Sequence, residues 1–104
     1  MRESALSTKI IKAINAIPGA HAQKMHGSQY GHTGTPDIFA CVLGRTVMLE
    51  VKMPGGIVSP AQLVELERWA EAGAVVAVVR SKAAALAAIN VAINKLAHPS
   101  PSIN

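Results

Sequence analysis

The amino-acid sequence predicts an α/β fold (α+β mixed sheet), in which a four-stranded sheet is flanked by helices. Three observations lead to it. Apolar residues recur at helical spacing near the N-terminus, two β-prone runs flank a two-residue turn, and a third apolar run follows a well-capped helix. A hairpin that leads into a β-α-β crossover favours a mixed sheet covered on both faces. The predicted element order is α-β-β-β-α-β-α.

The first part of the chain predicts a helix, a short strand and a loop. The helix covers residues 3–17 and ends at Pro18-Gly19. Its apolar residues recur at helical spacing: Leu6, Ile10, Ala13, Ile14 and Ile17. Residues 20–26 alternate poorly but predict a strand, and residues 27–36, rich in glycine and proline, predict a loop.

The middle of the chain predicts a β-hairpin from the runs 37–43 and 46–52. Gly44-Arg45 between them suits a type II′ turn, which would place Leu43 opposite Thr46. One face of the hairpin is then wholly apolar and faces the core, with Ile38, Ala40, Val42, Val47, Leu49 and Val51.

The opposite face of this hairpin carries the charged residues Asp37, Glu50 and Lys52. In the predicted register Asp37 lies opposite Lys52 and diagonal to Glu50, within side-chain reach. A one-residue slip would separate the two acids, but it would also turn the apolar face outward.

The second half of the chain predicts a helix, a strand and a last helix. Ser59 is the expected N-cap, with Pro60 in the first turn and Gln62 completing a capping box. This helix ends at Gly73, and residues 74–79 form a strand covered on both faces. Ser81 caps the last helix, whose core stripe is expected to be Leu86, Ile89, Ile93 and Leu96. Residues 1–97 are expected to form one domain, and residues 98–104 a flexible tail.

Composition limits the class of protein without identifying it. The chain has 104 residues, a net charge of +4 and a single cysteine, Cys41, which excludes an intrachain disulfide and a multi-cysteine zinc site. We expect a cytoplasmic protein, because it has no transmembrane-length apolar run and no signal-peptide pattern. The positive charge permits a nucleic-acid partner but does not require one.

Asp37, Glu50 and Lys52 together suit hydrolysis of a phosphodiester. Two carboxylates this close repel each other unless a cation lies between them, and Mg²⁺ prefers such oxygen ligands. Lys52 would orient or deprotonate an attacking water, or offset charge on a phosphate. The alternative is an ordinary set of edge charges, with the acids paired to Lys52 and Arg45.

The order of these motifs resembles the VRR-NUC (virus-type replication-repair nuclease) domain of the PD-(D/E)XK superfamily. The matching residues are Gly34-Thr35-Pro36-Asp37, then Glu50-Val51-Lys52, Gly55-Gly56, Gln62 and Gly73. The resemblance spans about residues 3–81 and implies a restriction-endonuclease-like core. It implies a metal-dependent DNA endonuclease that uses Mg²⁺, with Mn²⁺ as a possible substitute.

The resemblance also implies roles for individual residues. Asp37, Glu50 and the main-chain carbonyl of Val51 would bind the metal, and Lys52 would be the catalytic lysine. Gln62 would reach the site from its helix, cap that helix, or do both. Glu3 would act on water at the outer edge of the metal, or it is simply an acid that suits a helix N-terminus.

The loop before Asp37 is the candidate nucleic-acid contact. Lys24, His26, Tyr30 and His32 would grip the phosphate backbone, and Tyr30 would stack on a base. The alternative is a polar surface loop with one aromatic residue.

Three functions remain open from the sequence. The first, implied by the resemblance to stand-alone members of this family, is a structure-selective endonuclease acting on Holliday junctions or other branched DNA, for which a homodimer would match the two-fold symmetry. The second is a nucleic-acid-binding module without catalysis. The third is a nuclease subunit that needs a partner for specificity.

Overall fold

The computed structural model describes residues 1–25 and 34–97, and it has the predicted order of elements. The helices are α1 (Glu3–Asn15), α2 (Pro60–Glu71) and α3 (Lys82–Ala97), and the strands are β1 (Ala20–Lys24), β2 (Ile38–Val42), β3 (Arg45–Val51) and β4 (Val75–Val79). The strands form one sheet in the order β1-β2-β3-β4. Strand β2 is antiparallel to both β1 and β3, and β4 runs parallel to β3. The predicted mixed-sheet α/β fold is confirmed.

The core lies between the sheet and the pair of helices α1 and α3. All six apolar residues predicted for this face of the hairpin are buried: Ile38, Ala40, Val42, Val47, Leu49 and Val51. Helix α2 lies on the opposite face of the sheet, where it packs mainly on β4 and β3. The other face of β2 is therefore partly open, and Phe39 and Cys41 are exposed there.

The core-facing stripe of α3 differs from the one predicted. Its buried residues are Ala85, Ala88, Ile89 and Ala92. Leu86 and Ile93, predicted to face the core, are only half-buried. Ile89 was predicted correctly, and the alanines around it let the helix backbone approach the sheet.

The register of the β2–β3 hairpin differs from the predicted one by two residues. The turn residues are Leu43 and Gly44, both with positive φ (49° and 85°), so this is a type I′ turn instead of type II′. Val42 pairs with Arg45, and Ile38 with Leu49. Since side chains alternate with a period of two, the faces are those predicted, but every residue has a different partner.

Contacts with the preceding segment hold Leu43 in its left-handed conformation. The N–H of Leu43 donates to the Gly19 carbonyl at 2.8 Å, and the Leu43 side chain lies over the Gly19 backbone. A type I′ turn also matches the twist of the two strands.

The start of α2 agrees with the prediction. The Ser59 hydroxyl accepts from the Gln62 N–H at 3.2 Å, and the Gln62 side chain accepts from the Ser59 N–H at 2.9 Å. Together the two hydrogen bonds form the expected capping box.

Two predicted segments cannot be compared with this structure. Residues 26–33, which include most of the predicted loop, and the predicted tail 98–104 lie outside the described residues. Within the described part of the chain, no helix has the length and apolar character needed to cross a membrane.

Candidate active site

Two carboxyl groups meet at one end of the sheet. Asp37 immediately precedes β2, and Glu50 is the penultimate residue of β3. The observed register, continued by one residue, places them directly opposite each other, where the prediction had Asp37 opposite Lys52. Their carboxyl groups are close enough for the charge of Asp37 to oppose ionisation of Glu50. The corrected register thus brings the two acids closer than the sequence indicated.

The end of β3 holds the Asp37 carboxylate in place. Its Oδ2 atom accepts a hydrogen bond from the Val51 N–H at 2.7 Å. The N–H and C=O of a strand residue point to the same side, so the Val51 carbonyl also faces the β2 edge. In the continued register Val51 would pair with Pro36, which is buried and has no N–H to offer that carbonyl. Proline before Asp37 therefore removes one competitor for the Val51 oxygen.

The two oxygens of Glu50 have different surroundings. Oε2 accepts from the Gln62 side-chain amide at 2.8 Å and lies 3.6 Å from the Lys52 ammonium. Oε1 is buried and has no hydrogen-bond partner among the described residues. Glu50 as a whole is only 1% exposed. A buried, unpartnered carboxylate oxygen is costly unless a cation or a proton satisfies it.

The surroundings of Glu50 make its carboxylate hard to ionise. Burial is the main cause, and the charge of the neighbouring Asp37 adds to the effect. Lys52 opposes it. Together they raise the pKa of Glu50 from 4.5 to about 7. A divalent cation beside the two acids would reverse this balance, because it favours both charges.

The residues at this site fit a small divalent metal ion. They offer the orphaned Glu50 oxygen, the adjacent Asp37 carboxylate and the Val51 carbonyl, all of them hard oxygen donors. Mg²⁺ is typically held by one or two carboxylates and completed by waters and substrate phosphate. Among residues 1–25 and 34–97, no group of three or more His, Cys, Asp or Glu side chains could hold a metal. The protein would thus supply only a few of the ligands, and water or substrate would supply the rest.

Gln62 both caps its helix and contacts Glu50, the two arrangements that the sequence left open. One side-chain atom, Oε1, caps helix α2, and the other, Nε2, donates to Glu50. Because the capping box fixes the amide, the orientation of the Glu50 carboxylate is tied to the start of the helix.

Gly34 allows the chain before Asp37 to pack closely against helix α2. Its φ is +87°, and a Cβ there would lie 2.5 Å from the Ala61 carbonyl oxygen and 2.8 Å from the Gln62 nitrogen. The backbone before Asp37 therefore packs directly on the first turn of α2. In the sequence this position is marked by a glycine three residues before Asp37. The reason for the glycine is visible only in the contact with helix α2.

Glu3 is not part of the described cluster. It is the first residue of α1 and is exposed. The end of α1 is tied to β1 by two hydrogen bonds between Asn15 and Ala22. No three-acid group forms among the described residues. A catalytic role for Glu3 stays a prediction.

Of the predicted nucleic-acid contacts, the structure describes one. Lys24 is the exposed last residue of β1 and pairs with Ile38, next to Asp37. The following residue, Met25, donates its N–H to the Asp37 carbonyl at 2.7 Å. His26, Tyr30 and His32 lie outside the described residues.

Comparisons with known proteins show the class of this domain, which is nuclease-type. One similar solved structure, titled "VRR_NUC domain protein", has a TM-score of 0.74 at 15% identity and covers 90% of this chain and 89% of its own. A second, titled "VRR_NUC domain", has a TM-score of 0.64 at 26% identity and covers 94% and 97%. The chain thus has the fold of a VRR-NUC domain, as its motifs indicated. No family model and no curated protein matches it.

Proposed function

We propose that this protein is a Mg²⁺-dependent endonuclease that hydrolyses phosphodiester bonds in DNA, with branched DNA such as a Holliday junction as its preferred substrate. The observation that carries the proposal is the Oε1 atom of Glu50, which is buried beside the Asp37 carboxylate and has no hydrogen-bond partner in the part of the chain that the structure describes. Mn²⁺ would substitute for Mg²⁺, since both accept oxygen ligands.

In this proposal the chain's own residues hold the metal and arrange the reactants. Asp37, Glu50 and the Val51 carbonyl bind the ion, which when bound polarises the phosphoryl group and lowers the pKa of water. Gln62 keeps the Glu50 carboxylate turned so that Oε1 remains free for the ion.

Lys52 is the proposed catalytic lysine. Its ammonium lies 3.6 Å from Glu50 Oε2, and the side chain keeps 14% exposure, so it borders both the acids and the solvent. There it would orient or deprotonate the attacking water and offset charge on the phosphate. Glu3 would act from the outer edge of the metal.

Recognition of DNA would involve the strand and segment that precede Asp37. Lys24 is exposed at the end of β1, in register with Ile38, and would contact a phosphate, together with His26, Tyr30 and His32. We further propose a cytoplasmic homodimer, in which two sites would face a two-fold symmetric junction.

A substrate panel tests the proposal. Purified protein would be incubated with junction, flap, duplex and single-stranded DNA in Mg²⁺, Mn²⁺ or EDTA. We expect cleavage of the junction with either metal and none in EDTA. Asp37→Ala and Glu50→Ala should abolish cleavage, whereas Glu67→Ala, which removes an exposed acid of α2, should cleave normally.

Two further measurements separate catalysis from the alternatives. Addition of Mg²⁺ should raise the Tm of the wild-type protein but not that of Glu50→Ala, a result independent of activity. Metal-independent binding of all substrates without cleavage would instead favour the non-catalytic binding module. Cleavage by Asp37→Ala at the wild-type rate would refute the site assignment.

A further inference from the structure

Arg80 connects the end of β4 to the turn that follows Lys52. It is the first residue after β4, and its Nη1 atom donates to the carbonyls of Met53 and Gly56, each at 2.9 Å. The same turn is closed by a hydrogen bond from the Gly56 N–H to the Met53 carbonyl, also at 2.9 Å. One guanidinium group therefore fixes two carbonyls of a glycine-containing turn that has no regular secondary structure.

This turn supports the side chain of Lys52. A Cβ on Gly56 would lie 3.5 Å from Lys52 Cδ and 3.6 Å from Lys52 Cβ, so the Gly56 backbone borders the aliphatic part of the lysine. The backbone of Lys52 is anchored nearby, because its N–H donates to the Val79 carbonyl at 3.0 Å. Val79 thus anchors the main chain of Lys52, and Arg80 fixes the turn that borders its aliphatic side chain.

Without that support, the ammonium would not be confined. A lysine side chain has four flexible carbon–carbon bonds. The Lys52 ammonium lies 3.6 Å from Glu50 Oε2, and that oxygen already accepts a hydrogen bond from Gln62. The geometry points to Arg80 as a positioning residue, which sets the place of the Lys52 ammonium through the turn 53–56. This inference rests on the proposed nuclease function, but the contacts on which it depends do not.

A kinetic comparison tests the effect on the reaction. Arg80→Gln removes the guanidinium, and Arg68→Gln is the matched control, since Arg68 is an exposed arginine whose ion pair with Glu65 lies on helix α2. We expect Arg80→Gln to lower kcat about tenfold or more, because small misplacements of a catalytic group have effects of this size. KM and the Kd for DNA should stay within about twofold of wild type.

A conservative variant distinguishes positioning from general damage to the fold. Arg80→Lys still donates to carbonyls, although not with the forked geometry of a guanidinium, so it should recover part of the lost kcat. If Arg80→Gln instead weakens DNA binding with kcat unchanged, Arg80 contacts the phosphate backbone and the inference is wrong.

A measurement that needs no activity separates this inference from the proposed function. Acetylation of Lys52, followed by mass spectrometry, and amide exchange of Gly56 should both be faster in Arg80→Gln and unchanged in Arg68→Gln. Equal rates in Arg80→Gln and wild type would overturn the role of Arg80, even if the protein cleaves DNA. If the wild type cleaves nothing, the proposed function fails while these rates still decide the role of Arg80. Should Arg80→Gln not fold, Arg80→Lys serves in the same two measurements.

Discussion

Gln62 and Glu50 are joined by a hydrogen bond of 2.8 Å, made by the same amide that caps helix α2 through its other atom. A helix cap is normally a local device, confined to the helix it starts. Here it extends to a buried carboxylate on a neighbouring strand. The orientation of Glu50 and the position of the helix are therefore coupled, and the two contributions of Gln62 can be separated by mutation.

Replacement of Gln62 by alanine should reduce metal affinity and cleavage by about 10- to 100-fold, as is typical when a residue that orients a metal ligand is removed. Metal titration followed by Tm and cleavage assays would measure both. Ser59→Ala is the control, because it removes the cap hydroxyl and leaves the bond to Glu50. It should cost about 1 kcal/mol of stability and leave the rate unchanged. Equal loss of activity in both variants would show that only the cap matters.

The stability of the metal-free protein should fall as the pH rises from about 5 to 8. The pKa of Glu50 is raised to about 7 by burial and by Asp37, so the folded state binds this proton more tightly than the unfolded state does. The stabilisation is complete below the unfolded-state pKa of 4.5 and is lost as the pH passes through 7. The loss should be of the order of 2 to 3 kcal/mol.

Urea unfolding in EDTA at several pH values would measure this loss. Glu50→Gln should remove most of it, and Glu67→Gln, at an exposed position, should retain it. The same pH dependence in wild type and Glu50→Gln would contradict the assignment to Glu50.

Gly34→Ala should destabilise the fold by about 2 to 4 kcal/mol, since it combines a positive φ with a clash against the backbone of α2. Gly44→Ala is matched to it, because Gly44 has nearly the same φ (+85°) but nothing within 4 Å of the new Cβ. It should cost only about 1 to 2 kcal/mol. Denaturant unfolding of both variants tests whether the contact between Gly34 and Ala61 accounts for the difference.

Leu43→Asn should stabilise the protein by up to about 1 kcal/mol. Leu43 is the first residue of a type I′ turn with φ of 49°, and its side chain is 53% exposed. Asparagine tolerates this conformation far better and would complete a favoured Asn-Gly turn. In the predicted type II′ turn Leu43 would be a strand residue, where asparagine is unfavourable. A loss of stability in thermal unfolding would therefore argue against the observed register.

The sequence was sufficient to predict the faces of the hairpin but not its pairing. The alternation of apolar residues determines which face is buried, and a shift of two residues leaves that alternation unchanged. Gly44 suits either turn type, and the choice depends on Leu43 accepting a left-handed conformation that leucine normally avoids. The contacts of Gly34 with α2, and of Arg80 with the turn 53–56, join segments that no sequence spacing connects. The stripe of α3 was predicted only in part, because Ile89 is buried as expected but the other buried positions are alanines, which apolar spacing of large residues does not reveal.

The two acids, Lys52 and Gln62 all lie within residues 37–62, a continuous segment made of one hairpin, one turn and the start of one helix. Closing such short loops costs little chain entropy, and contacts of low sequence separation form early in folding. The arrangement of the two acids and Gln62 consequently depends largely on local chain closure, whereas Lys52 is also supported by Val79 and Arg80 from outside this segment. Changes of chain connectivity elsewhere, such as new termini between α1 and β1, would leave this segment uninterrupted.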